Sequence, residues 1–424
     1  MCDMTLNKEF LKKIQGWIDY LSENFIDLSG DSEILYEEDY DKLPDEIEID
    51  DICFSFPDDQ EHYYISIEDF ISYMTEIESL RREGDSIVRT DHIIQAVISS
   101  GRMGYANFDD KLQTVAFKDE GIDVSIVKSP FLVGVMNAKE GKYEEDFGLG
   151  ACEPYTAIEI RPSRDLDNKT INELIERICF YLTDKFGVEI YPWEGPDISE
   201  LYDRMDEYYN EDEEKDEEEE EETNVIDIDR LPSYSPLLRM FRQAKGVGDP
   251  EIQFLQYYKI LEYVSPLVAK SVAYDRLNRR LDLLPSVDRD AKYLDSILVI
   301  AKKYDTDMRD DSLAIAVIEN CVDVIPLFGL LPEKQRKTIK HNLNIQKDSI
   351  TDADVTDEQI RGLQKQIAMI LYATRNSIVH AKSNYIATGN EITQSDLPTG
   401  NEMMEIITRS IINWNQRQPE GFRS

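Results

Sequence analysis

Positive charge is scarce in the first half of this 424-residue chain, and histidine is scarce throughout. Residues 1–223 carry 20 Lys+Arg against 60 Asp+Glu, a net −40, whereas residues 224–424 carry 26 against 27, a net −1. The acidic half is therefore a poor partner for a polyanion, and the second half can approach one far more easily. The five cysteines (Cys2, Cys53, Cys152, Cys179, Cys321) are scattered and odd in number. None forms a C-x-x-C pair, which excludes the usual zinc and redox motifs, and with no signal-peptide pattern they read as reduced thiols in a cytoplasm. A P-loop, a G-x-G-x-x-G fingerprint and a metal-spaced acidic cluster are also missing, so neither cofactor nor metal is expected. The longest apolar stretch, 313–331, contains Glu319, Asn320 and Asp323 and ends at Pro332. It reads as a buried core helix, not a membrane span.

Residues 211–222 are all acidic except Lys215. Such a run cannot bury surface and repels itself, so 211–230 reads as an acidic linker. It divides the chain into an acidic α+β domain (1–210), expected to sense or regulate, and a helical domain (231–424). A sharper reading makes the run a tether that occupies a basic groove.

In the first domain, Phe10, Ile14, Trp17, Ile18 and Leu21 fall at helical spacing. Leu112–Lys118 and Ile122–Val127 read as strands joined at Asp119-Glu120-Gly121, with Gly supplying the φ > 0 position. Tyr155–Arg161 alternates as a strand, Ile171 to Leu182 as a helix stopped by Gly187, and Val188–Tyr191 as a strand. His62 and His92 are isolated, and the half holds no catalytic constellation.

The second half has helical periodicity nearly throughout. Asp249-Pro250-Glu251 is a helix start, with Asp as cap and Pro at the first position. Phe254, Tyr257, Tyr258, Leu261, Val264 and Val268 follow on one face, and Pro266 is expected to kink or split the helix. Helical stretches are expected near 289–304, 309–325 and 332–343. Two more carry the stripes Ile360, Leu363, Ile367, Ile370, Leu371, Thr374, Ile378 and Met404, Ile407, Ile411, Trp414. Five or six helices with short links make a bundle.

The chemistry-bearing stretch is Arg375-Asn376-Ser377-Ile378-Val379-His380. On a helix, Asn376 and His380 share a face, and the long Arg375 side chain reaches the same spot. RNA carries its own nucleophile, the 2′-hydroxyl. Cleavage needs that group deprotonated, the 5′-oxygen protonated and the phosphorane charge stabilised. Histidine, with an ordinary pKa of about 6.5, serves as base or acid. Arginine stays cationic and binds two phosphate oxygens. The bare spacing is weak evidence: Arg336 and His341 repeat it within the basic stretch Lys334, Arg336, Lys337, Lys340. That stretch reads as a solvated helix face, or in the minority case as an RNA phosphate-contacting patch. A purely structural role also fits the motif itself, with His380 in the core or capping, Arg375 paired to an acid and Asn376 on the surface.

Leu371 to Lys382 resembles the motif helix of the HEPN superfamily, and Phe254 to Glu262 is similar to the tyrosine-rich early helix of some members. The resemblance spans roughly 249–416 and leaves the first domain uncovered. It implies a HEPN-like bundle that forms a homodimer or higher even oligomer, and a metal-independent endoribonuclease of bacterial phage defence, abortive infection or stress response. Arg375 and His380 would be the catalytic pair, Asn376 would shape the site, and Glu262 and Lys382 would support it. Two alternatives remain: a catalytically silent HEPN-like module that binds RNA or protein, and an acidic nucleic-acid mimic that captures a basic protein partner.

Overall fold

The computed structural model describes residues 4–29, 46–49, 51–59, 61–100, 111–143, 150–153, 155–193, 223–282, 293–299, 309–380, 386–419 and 423. Helices and a mixed sheet are both present, and the chain divides into two compact units, Met1–Leu231 and Pro232–Ser424. No helix among the described residues is long and apolar enough to cross a membrane.

The first unit is built on strands β1 (Met4–Asn7), β2 (Asp27–Leu28), β3 (Glu46–Ile49), β4 (Asp51–Ser55), β5 (Tyr63–Ser66), β6 (Arg81–Glu83), β7 (Ile87–Arg89), β8 (Ile94–Ser100), β9 (Val115–Asp119), β10 (Ile122–Lys128), β11 (Thr156–Pro162), β12 (Ile190–Pro192) and β13 (Asn224–Asp227). Its eight-stranded sheet runs β13-β9-β10-β11-β8-β7-β6, with β12 also on β8. Every pairing in it is antiparallel except β13 on β9. The β9–β10 hairpin turns where expected: Ile122 pairs with Asp119, and Gly121 has φ 87°. Leu112, expected in β9, instead lies in a helical turn over 111–113 and is fully buried.

Strand alternation gives the sheet two covered faces. Ile94, Ala96, Ile98, Val124, Ile158 and Ile160 face α4 (Asn168–Phe186), which contributes Ile171, Leu174, Ile178 and Leu182 and ends at Gly187. The opposite face lies under α1 (Lys8–Ser22), α2 (Ile67–Thr75), α3 (Phe131–Glu140) and the small sheet β2-β4-β5. A polar pair is embedded there. Gln95 and Glu159 are cross-strand partners, and the Glu159 carboxylate accepts from Gln95 (2.7 Å), the Tyr73 hydroxyl (2.6 Å) and Arg161 Nε (2.7 Å). Each buried oxygen has a partner, as an interior charge requires.

Residues 224–230 were expected in the linker. They form β13 and the turn Ile228–Arg230, whose Ile228 is buried in the sheet's core. An edge strand explains why: Val225 and Ile226 follow the acidic run, and the open edge of β9 supplies backbone partners. The run 211–222 itself lies outside the described residues.

Asp59 ties two distant segments together. Its Oδ1 accepts from the backbone N–H groups of Cys152 (3.0 Å) and Glu153 (3.2 Å). A Cβ on Gly150 would lie 1.8 Å from that oxygen, so the approach needs glycine. Burial pushes the carboxyl up from 3.8 to about 6. Between those values the folded form holds a proton that the unfolded form releases, so stability falls as pH rises through the window. Asp59→Asn keeps the acceptor and removes the charge. The first unit's melting temperature should rise about 2–4 °C at pH 7.5. The gain should shrink as pH falls through that window and vanish near pH 3; a gain equal at pH 7.5 and pH 3 refutes this account.

The second unit contains α5 (Pro236–Lys245), α6 (Pro250–Leu281), α7 (Asp310–Cys321), α8 (Ile325–Leu330), α9 (Glu333–Leu343), α10 (Asp357–Val379) and α11 (Leu397–Gln416), with a helical segment at 293–299. The rest of the stretch expected at 289–304 lies outside the described residues. The expected single helix through 313–331 is broken between α7 and α8. Val322 is extended (φ −123°, ψ 130°), and Asp323 Oδ1 accepts the Ile325 N–H at 3.0 Å, starting a new helix with Pro326 in its first turn, where proline is tolerated. Helix α6 is capped by Asp249, whose Oδ1 accepts from Glu251 and Ile252.

Pro266 does not split α6. Proline removes the donor to the Glu262 carbonyl, and the buried Ser265 hydroxyl donates to that oxygen instead, at 2.9 Å. Ser265→Ala should cost about 1 kcal/mol in chemical denaturation, the net worth of one hydrogen bond to a part-buried carbonyl. An unchanged midpoint would show that the hydroxyl is dispensable.

Candidate functional site

The motif occupies the C-terminal end of α10. A capping box at Thr356 and Gln359 starts this helix, and Leu363, Ile367, Ile370 and Leu371 seat it in the bundle. Its last turn is pinned from outside: the buried Thr374 hydroxyl donates to Ile370 O (2.8 Å) and accepts the Ile392 N–H (3.0 Å). The chain that follows the motif thus folds back onto the residue before Arg375.

Arg375 is partly buried and held on two sides. One terminal nitrogen lies 3.2 Å from Glu262 Oε1 on α6, and the other donates to Asn376 Oδ1 at 3.1 Å. Both carboxylate and guanidinium remain reachable, at 49% and 29% side-chain exposure, so a substrate oxyanion could compete for the arginine. Tyr258, one turn before Glu262, is buried nearby. Burial first and the Glu262 anion second push its phenol well above the ordinary value, Arg375 opposing, so it stays a neutral hydroxyl at physiological pH.

His380 is not in the core. It is exposed, it is the residue that ends α10 (φ −104°, ψ 13°), and its N–H donates to Asn376 O at 3.0 Å. Arg375, Asn376 and Glu262 are thus brought together, with His380 one turn beyond Asn376. The two structural roles considered from sequence are partly realised, since Arg375 does pair with an acid and His380 does end the helix. Lys382 lies outside the described residues.

The basic residues of α9 form a separate group. Lys337 pairs with Glu333 (2.5 Å), Lys340 with Asp348 (2.6 Å), and Arg336 donates to Gly329 O (3.1 Å). Three of the four cations expected to meet phosphate therefore already have partners in the fold, whereas Lys334 is exposed. Exposed pairs of this kind are worth little and exchange readily. Tyr258 was legible only as part of a hydrophobic stripe, because its pairing with the motif spans two helices distant in sequence.

Comparison with protein families, with curated proteins and with solved structures finds no match to this chain.

Proposed function

We propose that the second unit is a HEPN-like, metal-independent endoribonuclease, acting in the cytoplasm of a bacterium in antiviral or stress defence, with the acidic unit sensing or regulating. The observation that carries this reading is the joining of Arg375, Asn376 and Glu262 at a helix end that leaves His380 exposed to solvent. In this scheme Arg375 leaves Glu262 to bind the scissile phosphate and meet its developing charge. His380 moves one proton, at the 2′-hydroxyl or at the leaving 5′-oxygen. Glu262 positions the guanidinium before substrate arrives. One histidine serves one of the two proton transfers, so a second copy of the chain supplies the other across a homodimer.

The test is incubation of the full chain with tRNA and mRNA in EDTA. Cleavage leaving 2′,3′-cyclic phosphate and 5′-hydroxyl ends, with DNA untouched, supports the reading. Cleavage at full rate by a verified monomer removes the shared site.

A further inference from the structure

Helix α6 gives one face to the bundle, where Leu261, Val264 and Val268 are buried. A second, largely apolar stripe runs along its opposite face. Tyr263, Leu267, Lys270, Tyr274, Leu277 and Leu281 follow one another at spacings of four, three, four, three and four residues. On an α-helix these six fall within one arc of roughly 80°. Tyr263 is 45% exposed, Tyr274 42% and Leu281 38%, Lys270 is exposed, and Leu267 and Leu277 are half-buried. The solvent face of an ordinary surface helix is charged and polar. Apolar residues at alternating spacings of four and three are instead the seam of a coiled coil, and this one extends over about 27 Å.

The order of residues in the stripe selects its occupant. The spacings read the same in both directions about Val272. In an antiparallel pair of identical seams centred there, Tyr263 meets Leu281 of the second copy, Leu267 meets Leu277, and Lys270 meets Tyr274. Such self-complementarity is what a two-fold pair requires. Charge agrees with it. In a parallel pair Lys270 would face its own copy and be repelled. In the antiparallel pair it faces a tyrosine ring, a contact the helix already makes internally, with Lys270 Nζ 5.6 Å from the Tyr274 centroid. Ser271 and Ala273 flank the centre, so no like charges meet at the two-fold axis. Glu262 and Arg280 lie five full turns apart and share a flank of α6, and antiparallel pairing sets each within about 3 Å, along the axis, of its opposite charge on the second copy. The two seams together cover roughly 1,000 Å², the low end for a specific pair, which suits association at micromolar concentration.

We infer that the outer face of α6 is a self-association seam: a second copy of this chain docks antiparallel along Tyr263–Leu281, with Lys270 setting the direction. The inference does not rest on the nuclease reading. Two Glu262 side chains in this pair lie about 30 Å apart along the seam, so it is not the pairing in which two motifs share a site. A chain that uses both faces builds an assembly of four or more copies.

The experiment measures the mass of the full chain by analytical ultracentrifugation, up to about 100 μM. The double variant Tyr274→Glu with Leu281→Glu should halve the assembly mass and leave the circular dichroism unchanged. Lys270→Leu should tighten association about tenfold, because a charge in a seam fixes its direction at a cost in stability. Direction is read by oxidation in a Cys2→Ser background, the cysteines at 53, 152, 179 and 321 being buried. Tyr263→Cys chains mixed with Leu281→Cys chains should form a disulfide-linked dimer, and neither variant should cross-link alone. A wild-type chain that stays monomeric, or a mass indifferent to the glutamate variant, overturns the proposal. Each cysteine variant cross-linking with itself shows a parallel pair and overturns the antiparallel docking. A constant mass with a lowered melting temperature gives the face to another segment of the same chain, which also overturns it. The seam and the nuclease fail separately: the halved assembly that still cuts RNA at the wild-type rate per chain leaves the motif reading intact, and an intact seam on a chain that cuts nothing sinks the nuclease alone.

Discussion

His380→Ala should lower RNA cleavage by about 10²–10⁴-fold, the range set by removing a general acid or base. The imidazole is exposed at the end of α10. Its loss should therefore leave the melting temperature nearly unchanged, and a drop in rate can be assigned to chemistry. Arg375→Ala should cost about 3 kcal/mol of transition-state stabilisation, or roughly a hundredfold in kcat. Arg375→Lys should recover part of it, because charge returns without the fork that binds two oxygens. Glu262→Gln should behave differently. It frees the arginine without removing it, so KM should change more than kcat. RNA binding by a folded chain that cuts nothing and is indifferent to His380→Ala would transfer the site to the silent binding module.

Phe131→Ala should remove about 4 kcal/mol from the first unit, at the upper end of what a single side chain contributes. Phe131 is fully buried at the start of α3. Its ring lies near those of Phe54 (6.0 Å), Phe56 (5.9 Å), Tyr63 (5.9 Å), Phe70 (6.2 Å) and Tyr73 (5.5 Å). Tilted and edge-on pairs at these spacings each add to the area term. The cavity cannot close, because its walls come from a helix and two strands already fixed in the sheets. Urea unfolding followed by Trp17 fluorescence should show the lower midpoint, since that ring packs 6.0 Å from Phe70. A loss under 1 kcal/mol would mean that the cluster repacks.

Helices with one buried stripe and a cap were legible in the sequence: α4, α6, α10 and α11 lie where periodicity and Asp249 or Gly187 put them. The β9–β10 hairpin was legible from Gly121. Helix α3 was not. Phe131 through Ala138 are all buried, so the run is apolar on every side and shows no period. Helix α5 was missed although Ser235-Pro236 ahead of Leu237, Leu238, Phe241 and Ala244 is a readable start. In the candidate site, the residue types were visible and their partners only in part. That Glu262 reaches Arg375 depends on how α6 crosses α10, which is not a property of a local window.

The pairing of β13 with β9 changes what the acidic run can be. Strands β12 and β13 belong to one sheet, at opposite flanks and five strand steps apart. At about 4.8 Å per step, β12 and β13 lie some 24 Å apart across the sheet. The described residues on either side of the acidic run therefore both belong to the first unit, and the division from the helical unit falls at Leu231–Pro232. A protease that nicks the run would leave both pieces joined through β13, and the helical unit would not be set free. A fragment meant to carry the helical unit alone has to begin after Leu231, because one beginning at 211 takes an edge strand from the sheet.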